Sequence, residues 1–313
     1  MSTPPFPAVL SQAELPLPLT GYRRFLGCWI HAGPDLTYVV DPGPAATLPR
    51  LLAALEERGV RHLDAILLTH VHLDHAGGAG GLARRFPKAA VLCTERAWRH
   101  LVDPGRLWEA SLAVLGEIAR VMGEPDPVPA DRLAPPDALA ERGIAWIPAP
   151  GHASHHGCYR HGPVLFVAEA AGVRYPLPGG RRYLRPATPP PFHPAVYRES
   201  LARLRREAGD APWLAFAHFG ACPAGDLLAR AERQARRWLS AVSRSVAEEG
   251  VRRWSPAWQA ALRERLLGED PDFASFPELP EDIRRREDVY LRNTLTGMLD
   301  AVLTDRHRSR DQA

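Results

Sequence analysis

The segment Thr69-His70-Val71-His72-Leu73-Asp74-His75 places three imidazoles and one carboxylate within six positions. Side chains two apart point the same way in an extended segment, so we expect His70 and His72 to bind one metal ion. Where the chain then turns into a glycine-rich helix, Asp74 and His75 are expected to face a second ion. Imidazole and carboxylate ligands suit zinc, and iron or manganese is also compatible. The alternative is a histidine-rich helix N-terminus on the surface that binds no metal.

More residues of the same types follow other predicted strands. One histidine stands in Pro150-Gly151-His152, another in Ala217-His218-Phe219, and a carboxylate follows a strand in Ala168-Glu169. Three predicted strands therefore lead to histidines: 64–69 to His70, 143–148 to His152, and 213–217 to His218.

The elements that carry these residues alternate between strand and helix. Apolar runs of strand length stand beside stretches with helical spacing, which is the pattern of an α/β fold. The predicted strands are 25–31, 36–40, 64–69, 89–93, 143–148, 164–168 and 213–217. The predicted helices of the first half are 48–55, a segment ending at 85, 95–101 and 107–122.

The sequence changes character after residue 224. Helical periodicity covers 227–246, 256–267 and 280–303, with only short breaks. Single cores stop growing at roughly 250 to 300 residues, so a chain of 313 residues is expected to divide. We predict one domain at 1–220 and a helical C-terminal subdomain at 221–313.

The motifs together resemble those of the metallo-β-lactamase-fold hydrolase superfamily. Beyond the first motif, the resemblance includes Asp41 in Val39-Val40-Asp41-Pro42-Gly43, the Gly151-His152 pair and His218, in the family's order. It covers roughly residues 20 to 220. It implies an αββα sandwich of two mixed β-sheets, here with a helical C-terminal extension, and a binuclear metal site at one edge.

Carried over residue by residue, the resemblance implies two divalent metal ions, with zinc as the first choice. Members of the family usually have an aspartate that bridges both metals, where this chain has Glu169. The extra methylene moves the carboxylate by about 1.5 Å, so we expect Glu169 to be a ligand and leave the filling of both sites open. The implied ligands are His70, His72 and His152 for the first ion, and Asp74, His75 and His218 for the second.

The resemblance also implies a hydrolytic reaction by metal-activated hydroxide. Asp74 is expected both to bind metal and to orient the hydroxide, and His156 is a candidate proton donor to the leaving group. A long, stiff loop at 174–192 is predicted to lie over the substrate. Its candidate substrate-binding residues are Arg174, Tyr175 and Arg182.

Ester, thioester and lactone bonds are the favoured substrates, ahead of phosphodiesters. A mononuclear iron dioxygenase acting on a thiol or persulfide is the alternative, because the same scaffold supports it and Glu169 alters the bridging position. A non-catalytic metal-binding protein on this scaffold is a third interpretation. The complete set of ligand histidines argues against it.

Composition limits the partners of the protein. The chain has 39 basic and 36 acidic side chains, so the net charge of +3 argues against a nucleic-acid binder. No apolar run is long enough to span a membrane. The four cysteines form no C-x-x-C pair, which is typical of a reduced, cytoplasmic protein. We expect a small-molecule substrate and consider a homodimer through the C-terminal helices.

Overall fold

A computed structural model describes residues 4–208 and 211–311, with the side chains of 307–311 left out. The chain forms two compact units, each described here by itself. The first comprises the described parts of Met1–Pro148, His155–Ala168 and Ala208–Ala224, and the second those of Ala149–Ser154, Glu169–Glu207 and Gly225–Ala313.

The strands and helices are numbered in chain order. The strands are β1 Leu10–Glu14, β2 Gly27–Ala32, β3 Thr37–Val40, β4 Ala65–Leu67, β5 Ala90–Leu92, β6 Leu133–Ala134, β7 Ile144–Pro148, β8 Gly157–His161, β9 Val164–Phe166, β10 Val173–Pro176, β11 Arg182–Arg185, β12 Trp213–Ala215 and β13 Ala221–Pro223. The helices are α1 Leu48–Glu57, α2 Leu73–Ala76, α3 Ala79–Arg85, α4 Glu95–Val102, α5 Gly105–Leu115, α6 Glu117–Met122, α7 Pro194–Glu207, α8 Leu227–Glu248, α9 Pro256–Glu269 and α10 Glu281–Asp311.

The first unit contains two mixed sheets. One has the order β1-β2-β3-β4-β5-β6, antiparallel up to β3 and parallel from β3 onward. The other has the order β13-β12-β9-β8-β7, in which only β12 and β9 are parallel. This arrangement confirms the prediction of two mixed β-sheets.

The core of this unit lies between the two sheets. Buried side chains of the first sheet, such as Tyr38 and Leu67, share one apolar cluster with Tyr159 and Phe166 of the second. β4 is buried at all three of its residues, which explains its continuous apolar sequence. A strand packed in this way holds the residues that follow it in a fixed position.

The helices of the first unit follow their sequence signals, with one difference. α1 has a proline in its first turn and is followed by Gly59 with φ of 70°, the two signals that mark its ends. The sequence predicts a single helix over 107–122, and this prediction is wrong. Gly116 has φ of 56°, a left-handed conformation that separates α5 from α6.

The second unit contains the β10–β11 hairpin and the helices α7 to α10. The prediction of a long, stiff loop over 174–192 is wrong for its first part, since Tyr175 pairs with Tyr183 in an antiparallel hairpin. Residues of β10 alternate between buried and half-buried, which is the strand period of two. The predicted helical C-terminal region is confirmed by α8, α9 and α10.

Candidate metal centre

The candidate centre is built where β3 and β4 end. These two strands are parallel neighbours, with Val40 paired to Leu67. The residues that follow them, Asp41 and Thr69, therefore lie side by side, and the backbone N–H of Thr69 donates to Asp41 Oδ1 over 2.9 Å. The chain continues through His70 into α2, so the whole motif begins from one fixed strand end.

His70 and His72 form the first pair of donors. Nε2 of His70 lies 3.0 Å from Nδ1 of His72. Two ligands at about 2.0–2.1 Å from one tetrahedral metal ion are about 3.3 Å apart. The pair is therefore spaced as two ligands of a single ion, as the residue spacing predicts.

Asp74, His75 and His218 form the second group of donors. Oδ2 of Asp74 lies 3.5 Å from Nε2 of His75 and 3.6 Å from Nε2 of His218. These separations again approximate the edge of a metal coordination sphere. His75 and His218 are buried, whereas Asp74 keeps 16% of its side chain exposed. The group therefore presents its carboxylate toward the more open side.

Asp41 fixes the orientation of two of these imidazoles. Its Oδ2 accepts a hydrogen bond from the Thr69 hydroxyl over 2.7 Å and from His75 Nδ1 over 3.0 Å. Since the only hydroxyl proton of Thr69 is donated to Asp41, its oxygen accepts from Nδ1 of His70, 3.1 Å away. Protons on both Nδ1 atoms leave Nε2 of His70 and of His75 as the nitrogens with a lone pair.

His218 is oriented by a backbone carbonyl. Its Nδ1 lies 3.0 Å from the carbonyl oxygen of Phe25, which only accepts, so Nδ1 carries the proton and Nε2 the lone pair. The Phe25 ring also packs on the imidazole with centroids 4.5 Å apart. Such partners raise the basicity of metal-binding histidines and hold them in position.

His152 and Glu169 belong to the second unit. Nδ1 of His152 lies 2.9 Å from the carbonyl oxygen of Ala187, which fixes the same tautomer as in His218. The Glu169 side chain is 1% exposed. Both residues are among the side chains that the described residues offer as potential metal ligands.

Backbone strain is concentrated next to these residues. In the part of the chain that the structure describes, the non-glycine residues with positive φ are Arg24 at 47°, Asp41 at 53° and Ala168 at 43°. Arg24 precedes Phe25, and Ala168 precedes Glu169. Such conformations cost on the order of 1–3 kcal/mol and persist where the surroundings enforce them, often at functional sites.

His155 and His156 lie beside the first pair of donors. The backbone N–H of Val71 donates to Nε2 of His155 over 3.2 Å, which anchors the segment between His70 and His72. The His156 ring centroid is 4.9 Å from that of His70, and its side chain is 2% exposed. The role of His156 as proton donor stays a prediction.

The predicted substrate-binding residues all lie on the β10–β11 hairpin. Arg174 and Arg182 are half-buried, and Tyr175 is 4% exposed. Such burial favours packing for the Tyr175 ring, and contact with a substrate stays a prediction for all three residues.

Comparison with known proteins decides the family. The family model described as the metallo-beta-lactamase superfamily matches residues 28–218, more than half of the chain. The chain belongs to this superfamily. The match begins in β2 and ends at His218, so it encloses all the predicted ligand residues.

Curated relatives cover smaller parts of the chain. A hydroxyacylglutathione hydrolase of Aliivibrio salmonicida is 48% identical over 66 residues, which are 21% of this chain and 25% of the relative. Another of an Enterobacter species is 30% identical over 43% of this chain and 42% of the relative. The chain thus spans between a quarter and about two fifths of the length of these relatives.

A solved structure supports the superfamily fold over a longer span. The archaeal metallo-beta-lactamase superfamily protein from Sulfolobus tokodaii superposes with a TM-score of 0.63 at 20% sequence identity. The superposition covers 93% of this chain and 98% of the archaeal one. At this identity the likeness shows the fold alone.

Proposed function

We propose that this protein is a metal-dependent hydrolase that cleaves an ester, thioester or lactone bond. The observation that carries the proposal is the grouping of five donor residues, His70, His72, Asp74, His75 and His218, with neighbouring donor atoms 3.0 to 3.6 Å apart. A bound divalent metal pair supplies hydroxide near neutral pH and Lewis acidity toward a developing oxyanion.

The donor set suits two zinc ions, with iron or manganese as alternatives. We propose His152 and Glu169 as two further metal ligands. The fixed tautomers support this, because each oriented imidazole presents one lone pair. The proposed ligands are His70, His72 and His152 for one ion, and Asp74, His75, Glu169 and His218 for the other.

An acyl substrate is favoured over a phosphodiester. The relatives named hydroxyacylglutathione hydrolase support an acyl group, and the net charge of +3 gives no strong attraction for a polyanion. Arg182 is the candidate residue for binding an anionic group of the substrate. Its Nε is buried and has no hydrogen-bond partner among the described residues.

Different side chains are proposed to orient the attacking water and to protonate the leaving group. Asp74 is the most exposed of the second donor group, so its carboxylate is placed to accept a hydrogen bond from the attacking water and orient it. His156 is buried, so a proton from it reaches a leaving group only through a neighbouring group or water. A proton from solvent is the alternative source.

The proposal is tested with a panel of thioesters, lactones and phosphodiesters and the variant His72→Ala. We expect hydrolysis of a thioester or lactone by the wild type, and loss of both activity and bound metal in the variant. His62→Ala is the matched control and should keep both activity and metal, because 72% of the His62 side chain is exposed. Unchanged hydrolysis in His72→Ala would overturn the proposal, and oxygen consumption with a thiol would favour the dioxygenase.

A further inference from the structure

A second histidine pair lies at the opposite edge of the two sheets. His31 near the end of β2 and His161 at the end of β8 line a cavity of about 300 Å³. Both strands begin near the metal centre, since the carbonyl next to His218 bonds Gly27 and the carbonyl next to His70 bonds Gly157. The pair is therefore a separate cluster that the proposed hydrolysis does not use.

Both imidazoles are held through Nδ1. Nδ1 of His31 lies 3.0 Å from the carbonyl oxygen of Leu36, and Nδ1 of His161 lies 2.8 Å from the Tyr38 hydroxyl. The Tyr38 ring stacks on His31 with centroids 4.7 Å apart and planes within 7°. Neither Nε2 atom has a hydrogen-bond partner in the described part of the chain. The Leu36 carbonyl only accepts, so the lone pair of His31 lies on Nε2, and that of His161 also lies on Nε2 when its Nδ1 donates to the Tyr38 hydroxyl.

The separation of the rings suits one shared ion. Each ring centre of a metal-bound imidazole lies about 3.2 Å from the metal, so two ligands at 90–110° have centroids about 4.5–5.2 Å apart. The centroids of His31 and His161 are 4.8 Å apart.

The surroundings also suit a cation. Burial lowers the pKa of His31 and of His161, and the neighbouring His31 lowers that of His161 further, which favours the neutral form of both rings. Metal binding requires the neutral imidazole. The charge of Arg142 at the cavity is offset, since its guanidinium donates to the Asp35 carbonyl and lies 3.8 Å from the Asp64 carboxylate.

We propose that His31 and His161 form an additional site for one zinc-like divalent ion, bound through the two Nε2 atoms and water. His31 belongs to the first sheet and His161 to the second. The ion therefore links the two sheets at the edge away from the metal centre, and its role is to stabilise the folded chain.

The test is a calorimetric titration of the purified, dialysed protein with Zn²⁺ alone. We expect one further ion per chain with micromolar affinity in the wild type, and its loss in His31→Gln and in His161→Gln. His62→Gln, a surface histidine with 72% of its side chain exposed, is the control and should titrate as the wild type. Equal titrations in all four proteins, or binding only at millimolar Zn²⁺, would overturn the site.

The change in unfolding temperature on adding Zn²⁺ tests the site even if a variant is less stable than the wild type. With the metal centre already loaded, further Zn²⁺ should raise the unfolding temperature of the wild type by a few degrees and leave that of both cavity variants unchanged. Hydrolytic activity should be the same in His31→Gln and the wild type, which separates this site from the metal centre. An equal rise in wild type and variants contradicts the proposal.

Discussion

Asp41 illustrates how one residue organises several donors. Its carboxylate receives the Thr69 hydroxyl and His75 Nδ1, and through Thr69 it sets the tautomer of His70. One buried carboxylate thus orients an imidazole of each proposed metal group. Because both carboxylate oxygens of Asp41 accept hydrogen bonds, an amide, which replaces one of them with an NH2 donor, is a poor substitute.

We therefore predict that Asp41→Asn weakens metal binding by about 10- to 100-fold, as loss of a supporting partner typically does. Competition with a chelator measures the affinity. Asp131→Asn is the control, because that side chain is 69% exposed and contacts only a surface arginine among the described residues. An affinity equal to that of the wild type would show that Asp41 does not orient the donors.

The sequence identifies some residues of the centre and misses others for a physical reason. The sequence reveals His70, His72 and Asp74 because each acts through its own side chain and they stand two positions apart. Thr69 acts only through Asp41, which lies 28 positions earlier. Phe25 acts through its backbone carbonyl, which any residue type has. Neither role leaves a pattern in the sequence.

At the scale of elements, α10 is joined to β11 by a buried ion cluster. Glu287 is fully buried and accepts from Arg185 Nε over 2.5 Å and from Arg286 Nη2 over 2.9 Å. Burial by itself raises the pKa of Glu287, but the two arginine charges outweigh it and lower the pKa from 4.5 to about 2. Arg185 is the last residue of β11 and stands two positions before Ala187, whose carbonyl is the partner of His152.

We predict that Glu287→Gln lowers the free energy of unfolding by about 3–5 kcal/mol, because it removes the buried charge that pairs with Arg185 and Arg286. Chemical denaturation measures the change. Glu281→Gln is the control, since that carboxylate is 67% exposed and its ion pair contributes at most about 1 kcal/mol.

Glu287→Gln should also change how the free energy of unfolding depends on pH. A carboxyl whose pKa is lowered in the folded state stabilises the fold above its unfolded pKa and loses this contribution as pH falls toward its folded pKa. From pH 5 to pH 2, the wild type should therefore lose more unfolding free energy than Glu287→Gln. Parallel pH profiles would contradict the assignment.

A close approach within the second unit gives another test. A Cβ on Gly297 of α10 would lie 2.0 Å from the carbonyl oxygen of Thr188, which is backbone and cannot rotate away. We predict that Gly297→Ala destabilises the fold by about 1–3 kcal/mol. Gly268→Ala in α9 meets no atom within 4 Å and should leave stability unchanged or raise it. Equal unfolding midpoints for the two variants would refute this close packing.

Elements with strong periodicity were predictable, and short or interrupted ones were not. β4 and α8 follow their apolar patterns closely. β8 begins directly after the histidine-rich segment, where the ligand pattern hides the strand, and β13 has only three residues ending in proline. α7 begins at Pro194, directly after a proline-rich stretch, and no helix was predicted there.

At the scale of the whole molecule, the superfamily match and the C-terminal helices occupy different parts of the chain. The family model ends at residue 218, and α8, α9 and α10 lie beyond it. The domain division near residue 220 stays a prediction, as does dimerisation through these helices. Among the described residues, no helix has the length and apolar character of a membrane span.

The central claim is that the donors around β3 and β4 hold two metal ions. The most direct test is elemental analysis of the wild-type protein, purified without added metal or chelator and dialysed against metal-free buffer. The account predicts two zinc-like ions per chain. A protein that carries no metal under these conditions would contradict it.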